Sequence, residues 1–274
     1  MSDSSLTKIS ASLCHGGYVY KYEHDSIVLG CKMRFNIFLP PCFHLDTKTT
    51  VPVLYFLSGL TCNEDNMITK SGAIEHLANE GIALVTPDTS PRAGYYLDAT
   101  TEKWKKHYNM YSYVSKELPE LVYKNFPVDP QRASIFGHSM GGHGAIMVAL
   151  RNPGMFKSVS AFAPMCHPSE SVTSKNAFTE YLGPNPEDWV KYDSTELALN
   201  YQDHPISIFL DQGSEDNFLK EGNLHPDHFV SAVENSKKYI QLETRVHPGY
   251  DHGYWFIQTF IKDHIDFHAK FLKN

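Results

Sequence analysis

Ser139 stands at the centre of Gly137-His138-Ser139-Met140-Gly141, a Gly-x-Ser-x-Gly pentapeptide. A serine so placed is a candidate nucleophile for acyl transfer when the pentapeptide joins a strand to a helix. Here the apolar Ser134-Ile135-Phe136 precedes it, and a run from about Gly142 to Asn152 reads as a helix. The serine would then occupy a sharp, strained turn, with glycines two residues to either side removing the side chains that would collide across it. A hydroxyl reacts only once a neighbouring base takes its proton. In chains with this elbow the acid and then the histidine follow the serine. Asp211, Glu215 and Asp216 all follow the apolar Ile206–Leu210. Asp216 is favoured because it stands clear of that strand, whereas Asp211 is better placed to fix the turn and Glu215 remains an alternative. For the base, His252 lies in a glycine-containing loop just before the last helix and is favoured over His247, which sits nearer the preceding strand. The amide of Met140, at a helix N-terminus, suits a developing oxyanion. A second donor is expected from the loop Leu57–Cys62, at Leu60.

Other residues read less sharply. Cys62 is either a small buried apolar group or a thiol at the edge of a pocket. Tyr95, Tyr96, Trp255 and Phe256 are candidates for a pocket lining or for the core. His264 and His268, one helical turn apart on the last helix, read as surface residues, because no metalloprotease motif accompanies them. No metal or organic cofactor is needed by the chemistry of Ser139, Asp216 and His252.

These residues need a scaffold, and the hydrophobic pattern supplies one. Met33–Leu39 alternates as a half-buried strand, while Val51–Leu57 and Ile82–Thr86 are continuous apolar runs of the kind buried on both faces. Further strands are expected at Ala133–Phe136, Ser158–Phe162, Ile206–Leu210 and Tyr239–Val246. Between them, helices are expected over Ile68–Glu80, Lys105–Asn125 (with a break at Pro119), His143–Asn152, His228–Lys237 and Phe256–Phe271. Strands alternating with helices of this length predict βαβ units and a mainly parallel sheet with helices on both faces. No linker or repeat divides the 274 residues, so one α/β domain over 1–274 is expected, with residues 1–12 set apart as a disordered tail.

Composition closes off several alternatives. With 42% hydrophobic and 20% charged residues the chain is neither disordered nor fibrous. The balance of 24 basic and 31 acidic side chains, net −7, argues against nucleic-acid binding through a general basic field. No apolar run is long enough to span a membrane. The five cysteines, with no Cys-x-x-Cys pair, and the polar Met1-Ser2-Asp3-Ser4-Ser5 predict a reducing, cytoplasmic setting.

Five motifs occur in order: Leu57-Ser58-Gly59-Leu60-Thr61-Cys62, Pro87-Asp88-Thr89-Ser90-Pro91-Arg92, Gly137-His138-Ser139-Met140-Gly141-Gly142-His143-Gly144, Ser160-Ala161-Phe162-Ala163-Pro164 and Gly249-Tyr250-Asp251-His252. In these the chain resembles the S-formylglutathione hydrolases, also called the esterase D family, from about Cys14 to its end. The resemblance implies an α/β-hydrolase fold, a cytoplasmic homodimer, and hydrolysis of the thioester S-formylglutathione to glutathione and formate in formaldehyde detoxification. It places the triad on Ser139, Asp216 and His252 and the oxyanion donors on Leu60 and Met140. Two segments depart from the family pattern. The acidic Trp-Asp-Phe-Gly stretch is absent between Arg92 and Ala93, and Val172–Asn176 replaces a Pro-Trp-Gly before Ala177-Phe178. Both are expected to border the substrate pocket.

Overall fold

Nine strands form one continuous sheet in a computed structural model that describes residues 6–42, 49–89, 94–236 and 239–273. They are β1 (Thr7–Cys14), β2 (Gly17–Ser26), β3 (Cys31–Leu39), β4 (Val51–Leu57), β5 (Ala83–Pro87), β6 (Val128–His138), β7 (Val159–Phe162), β8 (Ile206–Gly213) and β9 (Ile240–His247). Their spatial order is β1-β2-β3-β5-β4-β6-β7-β8-β9. The first four in that order pair antiparallel, and from β5 through β9 every pairing is parallel. The chain is thus a single α/β domain with a mainly parallel sheet. Every residue of β4 is buried, as its unbroken apolar sequence requires of a central strand.

The helices that shape the molecule are α1 (Glu64–Lys70), α2 (Ala73–Glu80), α3 (Leu118–Asn125), α4 (Met140–Arg151), α5 (Val172–Leu182), α6 (Ser194–Leu199), α7 (Asn217–Lys220), α8 (Pro226–Asn235) and α9 (Tyr254–Leu272). The single helix expected over Ile68–Glu80 is two, because Gly72 adopts a left-handed φ of 71° between them. Pro119 does interrupt its helix. A proline cannot donate to the carbonyl four residues back, and the turn before it, Tyr113–Glu117, widens to π geometry.

Two expectations are corrected. Residues 1–12 are not a tail as a whole, since Thr7–Cys14 pairs along β2 through a two-residue turn. His15 and Gly16 in that turn both take positive φ, 48° and 77°. A primed hairpin turn of this kind holds an edge strand by its ladder while leaving it exposed. His264 and His268 are not on the surface either, and both are fully buried on the inner face of α9. His264 Nδ1 meets Ser160 Oγ at 2.8 Å, and Ser160 Oγ meets His268 Nε2 at 2.8 Å. His268 Nδ1 then reaches Ser158 Oγ at 2.7 Å, which reaches Ser134 Oγ at 2.8 Å. Hydrogen-bonded in this way, polar groups under a helix carry no unpaired desolvation cost.

Candidate active site

The elbow is set by sterics. Ser139 takes φ 57° and ψ −121° between β6 and α4, a region costly for a residue with a side chain and typical of functional turns. A Cβ at Gly137 would lie 2.1 Å from the Gly141 carbonyl oxygen, and one at Gly141 would lie 2.0 Å from that of Leu57. Both positions must therefore be glycine, which is the physical content of the pentapeptide. The strained turn is pinned on both sides: the Ser139 amide donates to Phe162 O at 2.9 Å, and the Ser139 carbonyl accepts from the Met165 amide at 3.2 Å. Met140 is the first residue of α4, so its amide has no intrahelical acceptor. Leu60 lies in the turn after β4, mostly exposed, and its amide donates to no protein acceptor among the described residues. Its neighbour Gly59 approaches Ser139 so closely that a Cβ there would lie 3.2 Å from Ser139 Cβ.

Asp216 and His252 form a hydrogen-bonded pair. Asp216 is fully buried at the start of α7, and its Oδ2 accepts from His252 Nδ1 at 2.6 Å and from Gln212 Nε2 at 3.0 Å. Its Oδ1 accepts from the amides of Phe218 at 2.8 Å and Leu219 at 3.3 Å. Burial pushes the Asp216 carboxyl up, but His252, Gln212 and the Leu219 amide outweigh it, so the net shift is below the ordinary value. A carboxylate only accepts, so Nδ1 of His252 carries a proton and Nε2 is left as the basic nitrogen.

The His252 imidazole is held between two rings, His138 at 4.6 Å and Phe218 at 4.7 Å. His138 Nε2 donates to the His252 carbonyl oxygen at 2.9 Å. His138 is the residue before Ser139, so the histidine loop is tied directly to the elbow. Among the described residues no hydrogen bond yet joins the Ser139 hydroxyl to His252. Sequence reasoning missed His138, Phe218 and Gln212 as supports, although His138 stands inside the pentapeptide itself.

The alternatives lie elsewhere. Asp211 is buried and pairs with Arg245, through Nε at 2.8 Å and Nη2 at 2.6 Å. His247 and His264 face the same carboxylate at 3.1 and 3.2 Å. Burial raises the Asp211 carboxyl, but Arg245 and the two histidines hold it well below the carboxylate range. Asp211 and His247 thus form a charged cluster of their own. Glu215 is exposed and pairs with Lys220.

The remaining predicted residues differ in burial and surroundings. Cys62 is half-buried beside Tyr254, and burial pushes its thiol up, which makes it a poor nucleophile. Tyr95 packs edge-on against Phe178 at 5.9 Å. Trp255 is 79% exposed and lines a groove of about 490 Å³ with Thr69, Lys70, Tyr254 and Gln258. Tyr96 and Phe256 are core residues, the former donating its hydroxyl to the Ser58 carbonyl at 2.6 Å. Val172–Asn176 opens α5, and Ser90–Ala93, with the shortened junction, lies outside the described residues.

Known proteins resemble this chain over nearly its whole length. The Esterase family model matches residues 26–267. An S-formylglutathione hydrolase of Bos taurus is 50% identical over 98% of this chain and 99% of its own length. One from Arabidopsis thaliana is 47% identical over 98% and 99%. Among solved structures, an S-formylglutathione hydrolase from Agrobacterium tumefaciens superposes with a TM-score of 0.92, at 41% identity over 97% of this chain and 99% of that one.

Proposed function

The chain belongs to the S-formylglutathione hydrolase family of esterases, and we propose that it hydrolyses S-formylglutathione to glutathione and formate, with Ser139, His252 and Asp216 as its triad. Ser139 Oγ attacks the formyl carbon while His252 Nε2 takes the hydroxyl proton. Asp216 fixes the imidazole tautomer and stabilises the imidazolium. The amides of Leu60 and Met140 donate to the oxyanion. The C–S bond breaks, and His252 returns its proton to the leaving thiolate. Water, deprotonated by His252, then attacks the formyl-enzyme, and formate leaves with Ser139 restored. The Ser139–His252 hydrogen bond forms as substrate settles, since such contacts are often loose before binding. We assign Cys62, Tyr95 and Trp255 to contact the glutathionyl part of the substrate.

The observation that carries this reading is the His252–Asp216 pair, whose donated Nδ1 proton leaves a basic Nε2 in a loop tied through His138 to the serine elbow. We further propose that the enzyme is a cytoplasmic homodimer active in formaldehyde detoxification. No helix among the described residues is long and apolar enough to cross a membrane. The edge strand β1 exposes Ile9 and Leu13, which gives a second copy an apolar surface to cover.

The test is kinetic. Wild type is expected to show a higher kcat/KM for S-formylglutathione than for a small aryl acetate, and a burst of acyl-enzyme that disappears in Ser139→Ala. A much better aryl ester would favour a broad short-chain carboxylesterase on the same triad, and a burst surviving in Ser139→Ala would remove the nucleophile.

A further inference from the structure

Away from the triad, α8 opens with Leu224-His225-Pro226-Asp227-His228. One ligand atom from each of His225, Asp227 and His228 lies within 4.8 Å of the other two. The rings of His225 and His228 stack, with centroids 4.5 Å apart and planes 18° from parallel, so one ring must turn out of the stack before both lone pairs, which lie in the ring planes, meet at one ion. His225 Nε2 is buried and has no hydrogen-bond partner among the described residues. An unpaired buried ring nitrogen is a cost unless something fills it.

The neighbouring groups are arranged as they are around a metal-binding histidine. His228 Nδ1 meets His167 Nδ1 at 2.9 Å. On its other side His167 Nε2 faces Glu196 Oε1 at 3.7 Å and Asp193 Oδ2 at 4.0 Å. With His228 donating from Nδ1 and His167 passing its own Nε2 proton toward the carboxylates, His228 Nε2 is left as a lone-pair donor. A ligating histidine characteristically gives its second ring N–H to such a chain, which fixes its tautomer and raises its basicity.

We propose that His225, Asp227 and His228 bind one divalent transition-metal ion of the zinc class, with His167 positioning His228. Two imidazoles and a carboxylate, with solvent completing the shell, suit zinc and its neighbours better than calcium or magnesium. Metal–nitrogen distances of about 2.0–2.1 Å place tetrahedral ligands roughly 3.3 Å apart, so binding draws together donors that lie within 4.8 Å of one another and turns one imidazole out of the stack. The ion would also brace the elbow from behind. Cys166, next to His167, donates its amide to the Leu224 carbonyl at 2.7 Å, and the Met165 amide holds Ser139 O. A metal at His225–His228 therefore clamps the two segments that support the turn, while the hydrolytic steps proceed without it.

The experiment titrates untagged full-length protein with Zn²⁺ by calorimetry, with thermal unfolding and the visible spectrum of the Co²⁺ form as second readouts. Wild type is expected to take up one equivalent, unfold at a higher temperature with Zn²⁺ than without, and show the absorption bands of low-coordinate Co²⁺. His225→Ala and His228→Ala are expected to lose at least tenfold in affinity along with the Co²⁺ bands. His167→Gln should weaken binding about tenfold or more, and the exposed control His15→Ala should match wild type. Ester turnover in each variant verifies its fold. Asp227→Asn, an exposed change at the helix start, stands in where an alanine variant does not fold, and is also expected to weaken binding. Equal stoichiometry and affinity in wild type and variants, or no uptake of one equivalent by wild type, would overturn the proposal.

Discussion

Lowering the pH from 7.5 to 5 should remove an unusually large share of this protein's stability, because several histidines are buried as neutral rings. His138 donates Nε2–H to the His252 carbonyl, and its Nδ1 is buried without a partner. Burial, reinforced by the charge on His252, lowers its pKa to about 3. His143 bonds Ser194 Oγ through Nδ1 at 2.6 Å, its Nε2 has no partner, and burial lowers it to about 4. Burial also holds His268 well below the ordinary value. In the unfolded chain each titrates near ~6.5. A folded-state pKa below the unfolded one means that the stabilisation is complete above ~6.5 and declines as the pH falls, because only the unfolded chain binds the proton. The decline continues until the folded pKa is reached, about 3 for His138 and about 4 for His143. His138 and His143 each then lose about 1.4 kcal/mol per pH unit, or about 2 kcal/mol by pH 5, so the two together lose about 4 kcal/mol, and His268 acts in the same direction. Total stability is typically about 5–15 kcal/mol, so the effect is large. Asp211 and Asp216, whose folded pKa values are depressed, begin to cost stability only below ~3.9, which leaves the window from 7.5 to 5 to the histidines. Urea unfolding at the two pH values measures the difference, and NMR of the imidazole protons follows each ring. A loss below about 2 kcal/mol, or His138 or His143 protonating above pH 5 in the folded protein, would refute the reasoning.

Three substitutions probe the rest of the arrangement. Asp216→Asn is expected to lower kcat by about 10⁴ with little change in KM, because the wrong imidazole tautomer is stabilised; steady-state kinetics would contradict this with a loss of less than tenfold. Gly141→Ala places a methyl 2.0 Å from Leu57 O and 2.5 Å from Ser58 O, both main-chain atoms, and is expected to cost about 4 kcal/mol or prevent folding; an unchanged Tm would show that the turn is not sterically closed. Asp211→Asn strands Arg245 and two histidines and should cost about 3 kcal/mol, at the low end for a buried pair because Arg245 is partly exposed. Since Asp211 lies outside the proposed triad, kcat/KM of the folded fraction should stay within a few-fold of wild type.

What could be read in the sequence was what local sterics and chain order dictate. The elbow is legible because two glycines two residues from Ser139 answer a clash internal to one turn. The parallel sheet is legible because buried strands such as Val51–Leu57 are unbroken apolar runs. The choice between Asp211 and Asp216 was ambiguous because both follow the same strand. What separates them is non-local: the β8–β9 register sets Asp211 opposite Arg245, while Asp216 starts α7 and receives its amides. The edge strand β1 was missed because its exposed residues leave no burial signal, and the ladder that holds it is invisible in composition.

Histidine shows the limit most clearly. The chain has 15 of them, and residue type alone does not separate a base from a ring buried for packing. His247 ends β9 and His252 follows five residues later, yet Asp216 at the start of α7 engages His252 while Asp211 on β8 faces His247. His264 and His268 repeat at helical spacing like an exposed pair, and only Ser158 and Ser160, more than 100 residues earlier, make burial tolerable. His138, inside the most recognisable motif of the chain, has the least obvious part: it must remain neutral, because its one donated proton ties the base loop to the elbow and a second proton would have no acceptor. The pH range over which that ring stays neutral therefore bounds the range over which the site keeps its shape, while the chemistry has the separate requirement that His252 Nε2 be free to accept the Ser139 proton.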